Sequence, residues 1–276
     1  MGVFTAGVLE ALNERLRDRV RAIYGTSSGA DVGVYFLSDQ TGLTLRFFIE
    51  HLTQPGFLSK NLPLYLLKVF FFKNNPHIRI PDYVNVDYVV ESAKSSDCRL
   101  DLAKVESSDI EFYVKVIDIR NGSARYLPAK ADVFQKLMAT SQCGPFSTRA
   151  VTIDGVPYID GSTIVSGLDA ELVRTDKETL YIGVQPTKEN KLWKAVLYPF
   201  HLLASLVIGI LYGGHLGKSY VQGLFVDPYE RIAEFDNVLL IKNELSYSAF
   251  CTNKKNLERV YRHGVQQARM ALAQVA

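Results

Sequence analysis

The chain has 276 residues, 47% hydrophobic and 22% charged, enough to bury the core of one large domain or of a domain with an added lobe. Its net charge of +2 and the lack of a Lys/Arg-rich stripe exclude a strong field drawing it to nucleic acid. Cys98, Cys143 and Cys251 are far apart and lack metal-ligand spacing, and the opening Met1-Gly2-Val3-Phe4-Thr5-Ala6-Gly7 has no basic stretch. A cytoplasmic chain without a disulfide framework or signal peptide is expected.

In chain order, Phe4, Val8, Ala11, Leu12 and Leu16 recur at helical spacing, and Arg15, Arg17 and Arg19 suit the helix's C-terminal end. A short strand is expected over 20–24, then the turn Gly25-Thr26-Ser27-Ser28-Gly29, then a helix from about Ala30. Residues 43–52 read as helical, and Leu62–Phe72 as a greasy helix too short to span a bilayer. Residues 87–91 belong to another helix, and 110–119 alternates as a strand with Phe112, Val114 and Val116 on one face against Glu111 and Lys115. Asn121-Gly122 and Asp154-Gly155 are hairpin turns, the first returning through 124–127, the second joining 151–153 to 156–159. A helix follows at 133–139, strands at 179–184 and 237–241, and a closing helix at about 253–273. The segment 195–214 carries no Asp, Glu, Lys or Arg. It reads as an apolar helix packed on the sheet or lining an acyl pocket, touching membrane from one side, with a true span as the alternative.

The chemistry centres on Ser27. Gly25-x-Ser27-x-Gly29 stands between a strand and a helix, the setting a nucleophile elbow demands, with flanking glycines required by the tightness of the turn. A serine hydroxyl needs a base, and the oxyanion it generates needs preorganised N–H donors. One arrangement is a Ser-His-Asp triad with Asp160 and one of His201, His215 or His263. The other is a Ser–Asp dyad with Asp160 as direct base. Only one helix and one strand precede Ser27, and no histidine has a loop-like, strand-end context, which favours the dyad. Asp31 reads as a first-turn helix charge, Asp154 as a hairpin residue and Cys143 as a small buried side chain.

Gly7-Val8-Leu9, the elbow, and Val156-Pro157-Tyr158-Ile159-Asp160-Gly161 together resemble the patatin-like phospholipases, and the likeness extends through Ala139–Phe146, Leu239-Leu240-Ile241 and Leu257–Ala268. The resemblance implies a three-layer α/β/α sandwich with a mostly parallel central sheet. It divides here into a catalytic core (1–175) and a C-terminal part (176–276). It also implies lipid acyl-ester hydrolysis through an acyl-enzyme, Ser27 as nucleophile and Asp160 as general base, with no metal or other cofactor. Gly25, Gly29 and Gly161 are the motif glycines, and the Ser28 N–H is an oxyanion donor. The partner is a lipid or acyl-ester substrate, with peripheral membrane contact through 62–72 and 195–214 and no nucleic acid.

Family members carry a strand and a glycine-rich oxyanion loop just before the first helix, to which at most Gly2 corresponds here. An empty central sheet position beside the elbow strand is therefore expected. The explanations are a start further upstream, or a truncated product that binds lipid without hydrolysing it. The third residue of Asp160-Gly161-Ser162 also departs from the family's Gly or Ala.

Overall fold

The computed structural model describes residues 2–59, 61–174, 178–183, 191–224, 226, 229, 230, 232–245 and 250–275, with the side chains of 191–197 and 274–275 left out. Helix α1 (Gly2–Leu16) leads through a 3-10 turn at Arg17–Arg19 into β1 (Ala22–Gly25) and α2 (Ser28–Leu37). Then come α3 (Thr41–Glu50), α4 (Leu62–Phe72), α5 (Val86–Ser95) and α6 (Leu102–Ser107). The hairpin β2 (Glu111–Asp118) and β3 (Ser123–Pro128), α7 (Val133–Ser141), and the hairpin β4 (Val151–Ile153) and β5 (Val156–Asp160) follow. The remainder is α8 (Leu168–Val173), β6 (Thr179–Gly183), α9 (Lys191–Tyr212), α10 (Gly214–Gly223), β7 (Val238–Lys242) and α11 (Lys254–Val275). Val184, expected to end β6, and the division at 175/176 lie outside the described residues.

The architecture is mixed α/β, with a central sheet flanked by helices. Its order is β1-β2-β5-β4, with β3 on the other edge of β2, and β6 and β7 form a second sheet. The β1–β2 and β6–β7 pairs are parallel; the other pairings, both hairpins among them, are antiparallel. Gly122 (φ +73°) and Gly155 (φ +77°) supply the left-handed turn residues that the two hairpins require. Among the described residues β1 and β6 are each paired on one edge only.

The main core joins Phe36, Phe112, Val114 and Val116 to the buried face of α1 and to Leu257, Val260 and Ala268 of α11. The first half of α1, Gly2 to Val8, is buried on every side. Gly7 and Gly264 make this possible, because added Cβ atoms would lie 2.1 Å from the Tyr261 carbonyl oxygen and 2.3 Å from that of Phe4. Backbone therefore packs on backbone where the first and last helices cross.

Two local expectations are corrected. Arg17 does not serve the end of α1; its guanidinium donates to the Phe36 and Leu37 carbonyls and so closes the C-terminus of α2. The apolar run does not continue through Gly214, because Gly213 takes φ +112° and starts α10 in a new direction. Lys115 lies opposite the Phe112 face, as the alternation indicates, and is nevertheless only 4% exposed. No helix of the described residues is long and apolar enough to cross a membrane, which removes the spanning alternative for 195–214 within them.

Candidate active site

Strand β2 assembles the site. Along one edge it pairs in parallel with β1, Gly25 opposite Val114, and in antiparallel with β5, Asp160 opposite Val116. The other edge is occupied by β3. β1 and β5 therefore run toward each other along the same edge, and their carboxyl ends meet on either side of Lys115. Ser27 follows one end and Asp160 forms the other. Residues far apart in the chain converge because two strands share one template.

The turn after β1 is sharp. Ser27 adopts φ 52°, ψ −135°, a region that costs a non-glycine residue on the order of 1–3 kcal/mol. Neighbouring hydrogen bonds hold it there: Gly29 N–H to Thr26 O at 2.9 Å, Ala30 N–H to Ser27 O at 2.8 Å, and Ser27 N–H to the Thr140 hydroxyl at 3.0 Å. Thr140, buried on α7, donates in turn to Lys115 O at 2.6 Å. Ser27 occupies the N-cap of α2, yet its hydroxyl makes no capping bond, so the oxygen is not committed to the helix. Gly25 is sterically required, since a Cβ there would sit 2.5 Å from Ala30 Cα. Gly29 is not: its Cβ would meet nothing within 4 Å, so the expectation that both flanking glycines are forced holds only for Gly25.

Asp160 is fully buried. Its Oδ1 accepts from the Ser162 N–H at 2.7 Å, while Oδ2 is buried without a partner of hydrogen-bonding geometry. Burial pushes the carboxyl up to about 6, against the pull of the Ser162 N–H, the Ser27 and Ser162 hydroxyls and the Lys115 ammonium. Gly161 is required, because a Cβ would lie 2.6 Å from Lys115 Cγ and 2.7 Å from its carbonyl oxygen. Ser162 does not disturb the turn; its backbone N–H secures the carboxylate.

Three further groups crowd this junction. The Lys115 ammonium donates to both oxygens of Asp169 at 2.9 Å, and Asp169 also accepts from Tyr126 at 2.7 Å and Tyr181 at 3.4 Å. Asp31, expected to be a simple first-turn charge, lines the cavity beside Asp160, and burial followed by that neighbouring carboxylate pushes it up to about 7. Cys143 has a carboxylate close by; burial first and Asp160 second raise its thiol well above the ordinary range, which keeps it protonated and inert.

Ser28 and Gly2 lie against each other. Ser28 opens α2, and its N–H donates to no acceptor among the described residues. Gly2 opens α1 and abuts it, because a Cβ on Gly2 would lie 2.8 Å from the Ser28 carbonyl oxygen. Gly2 and the amino end of α2, with the first-turn N–H groups that a helix leaves unpaired, thus lie side by side next to Ser27.

A cavity of about 2170 Å³ opens over this junction, lined by Ser27, Ser28 and Asp31 and by apolar groups including Leu12, Phe48, Phe146 and Phe250. Residues 21–25 and 179–183 also line it, so the unpaired edges of β1 and β6 face the same space. None of the five histidines does. His201 pairs with the Tyr220 hydroxyl at 2.9 Å, His215 lies against Gly122, and His263 accepts from the Glu244 N–H at 3.4 Å. The triad has no base here.

A family model described as patatin-like phospholipase matches residues 1–173. The chain belongs to the patatin-like phospholipase family. The protein YjjU of Escherichia coli, described as uncharacterized, is 27% identical over 184 residues, which is 66% of this chain and 48% of that protein; the chain spans about half the length of this relative. The crystal structure of VipD from Legionella pneumophila is also similar, with a TM-score of 0.42 and 12% identity over 99% of this chain and 65% of that one.

In this patatin-like phospholipase, sequence reading missed Lys115, Thr140 and Asp169. The alternation of β2 put Lys115 on the face away from Phe112 and Val114, which is correct, but that face is itself covered by Tyr126, Tyr181 and Asp169. A lysine in the middle of an otherwise apolar strand was the available signal.

Proposed function

We propose that the chain is a lipid acyl hydrolase working through a Ser27–Asp160 dyad in a cytoplasmic, peripherally membrane-associated protein; its three cysteines are all free. The observation that supports this reading is the meeting of β1 and β5 on one edge of β2, with the Ser27 hydroxyl, uncommitted to the helix, after one strand and a buried carboxylate with an unpartnered Oδ2 at the end of the other. Ser27 Oγ attacks the ester carbonyl carbon as its proton passes to Asp160. The oxyanion is met by the Ser28 N–H and the amino end of α1 at Gly2. Collapse expels the alcohol, which takes the proton from Asp160 and leaves an acyl-serine. Water then attacks the acyl group with Asp160 again accepting its proton, the bond to Ser27 Oγ breaks as the serine oxygen takes that proton back, and the fatty acid leaves. The apolar cavity accommodates the acyl chain.

A second reading is lipid binding with little turnover: Asp31 lines the same cavity beside Asp160, and to the extent that it ionises above about pH 7 its charge opposes a developing oxyanion. One experiment separates the two. Hydrolysis of a p-nitrophenyl acyl ester and of a phospholipid is followed for the wild type, Ser27→Ala and Asp160→Asn, together with fluorophosphonate labelling of Ser27. The dyad predicts labelling of the wild type and a fall of about 10²–10⁴ in turnover for Asp160→Asn. Lipid binding without labelling or turnover establishes the second reading, and unchanged activity in either variant removes that residue's role.

A further inference from the structure

Helices α4 and α9 pack side by side through Tyr65, Leu66, Val69 and Val207. The Lys73 ammonium ties them at one end by donating to the Ile210 and Leu211 carbonyls, at 3.1 and 3.0 Å, in the last turn of α9. Both helices then turn apolar side chains outward. Leu64, Leu67 and Phe71 (67% exposed) form one stripe on α4; Leu202, Leu206 (55% exposed) and Ile210, spaced by four, form another on α9. Scattered exposed apolar residues are ordinary on a protein surface, but two adjacent stripes of them are not.

Along the two chain segments that carry these stripes the charge has one sign; the nearby Asp82 is paired with Arg149. Residues 51–81 and 190–226 contain none of the chain's 29 Asp and Glu, and they contain Lys60, Lys68, Lys73, Arg79, Lys191, Lys194 and Lys218. Lys68, Arg79 and Lys218 are exposed. The rest of the chain is net acidic, so the cationic surplus is concentrated here. Long lysine stems can lie along an apolar surface while their ammonium groups reach phosphate level.

This face is also continuous with the site. On the inner side of α9, Ile208 and Tyr212 close on Gly144, where a Cβ would lie 3.3 and 3.0 Å from them, next to Cys143 of the cavity wall. From α4, the Tyr65 ring packs at a tilt against Tyr83 with centroids 5.8 Å apart, and Tyr83 likewise against the cavity residue Phe146 at 6.1 Å.

We infer that the α4/α9 face docks on an anionic lipid bilayer and delivers membrane lipid to the Ser27 cavity. This rests on the lipid reading of that cavity. Apolar stripes rimmed by cations match a surface of phosphate headgroups over hydrocarbon. A second copy of the chain would bring cation against cation.

Docking is tested apart from turnover, in the Ser27→Ala chain. Vesicle flotation with phosphatidylglycerol/phosphatidylcholine is compared with phosphatidylcholine alone, at low and high NaCl. Anionic vesicles should hold the protein at least about tenfold more strongly, and high salt should release it. Phe71→Glu with Leu206→Glu should lower vesicle binding about tenfold or more, while circular dichroism and Tm stay unchanged. Equal retention of wild type and double variant, no preference for anionic vesicles, or a dimer that the double variant dissociates would each overturn the inference. Vesicle binding by a chain whose wild type hydrolyses no ester leaves docking standing and defeats the hydrolase reading alone. Ester hydrolysis without vesicle binding does the reverse.

Discussion

Ser27 has two unlike neighbourhoods. On the β2 side the framework is tied: the Ser27 N–H to Thr140, Thr140 to Lys115 O, Lys115 to Asp169, and Asp160 Oδ1 to the Ser162 N–H, with Asp160 Oδ2 alone left without a partner. On the other side the free edge of β1 borders a cavity, and Gly29 looks into open space. Positioning and access are thus separated. A strained turn is held from one side, so that the other remains clear for a substrate.

Changes on the tied side should be expensive and those on the open side cheap. Lys115→Met leaves the half-buried Asp169 without its cation, and a loss of about 1–3 kcal/mol is expected in urea or thermal unfolding. Lys115→Met with Asp169→Leu should recover much of it. A single variant as stable as the wild type would show that the buried pair does not hold the junction together. Thr140→Val removes the acceptor for Ser27 N–H and the donor to Lys115 O, at a cost of about 1–3 kcal/mol, with Thr140→Ser close to wild type.

The charges give a pH dependence. Asp160 and Asp31 have folded values near 6 and 7, above the ordinary carboxylate value of 3.8, so the folded state binds their protons more tightly than the unfolded chain does. Their contribution to stability is fully present below about pH 4 and is lost as pH rises through 6 to 7. Ester hydrolysis should rise over the same range as Asp160 ionises. Asp31→Asn should therefore raise Tm at pH 8 and change it little at pH 4; equal shifts at both would show that Asp31 is not carrying an unfavourable charge.

The smallest effects test the open side. Gly29→Ala should move stability by no more than about 0.5 kcal/mol, toward greater stability through helix propensity, whereas Gly25→Ala drives a Cβ into the α2 backbone and should cost about 1–3 kcal/mol or more. Equal costs for the two would erase the contrast.

The readable parts of the sequence were those where geometry restricts residue type. Gly25 and Gly161 stand where a Cβ collides, and Gly122 and Gly155 where φ is positive, so the elbow, the Asp160 turn and both hairpins are written in local chemistry. Lys115 and Asp169 were not readable, because their burial is created by α8 and β6 folding over a face that period-two alternation labels only as opposite to the core. The short α6 and α8 have too few turns for periodicity to register. Arg17 reaches across to α2, a partner that no local pattern specifies.

The sharing of one β2 edge by β1 and β5 also has a kinetic meaning. Gly25 reaches Val114, and Asp160 reaches Val116, only after long stretches of chain have closed into loops, and neither pairing can be replaced by a local one. Helices can form early from near neighbours, but the junction of Ser27 with Asp160 requires both closures on the same strand. In a refolding experiment, helical signal should therefore return ahead of the reactivity of Ser27.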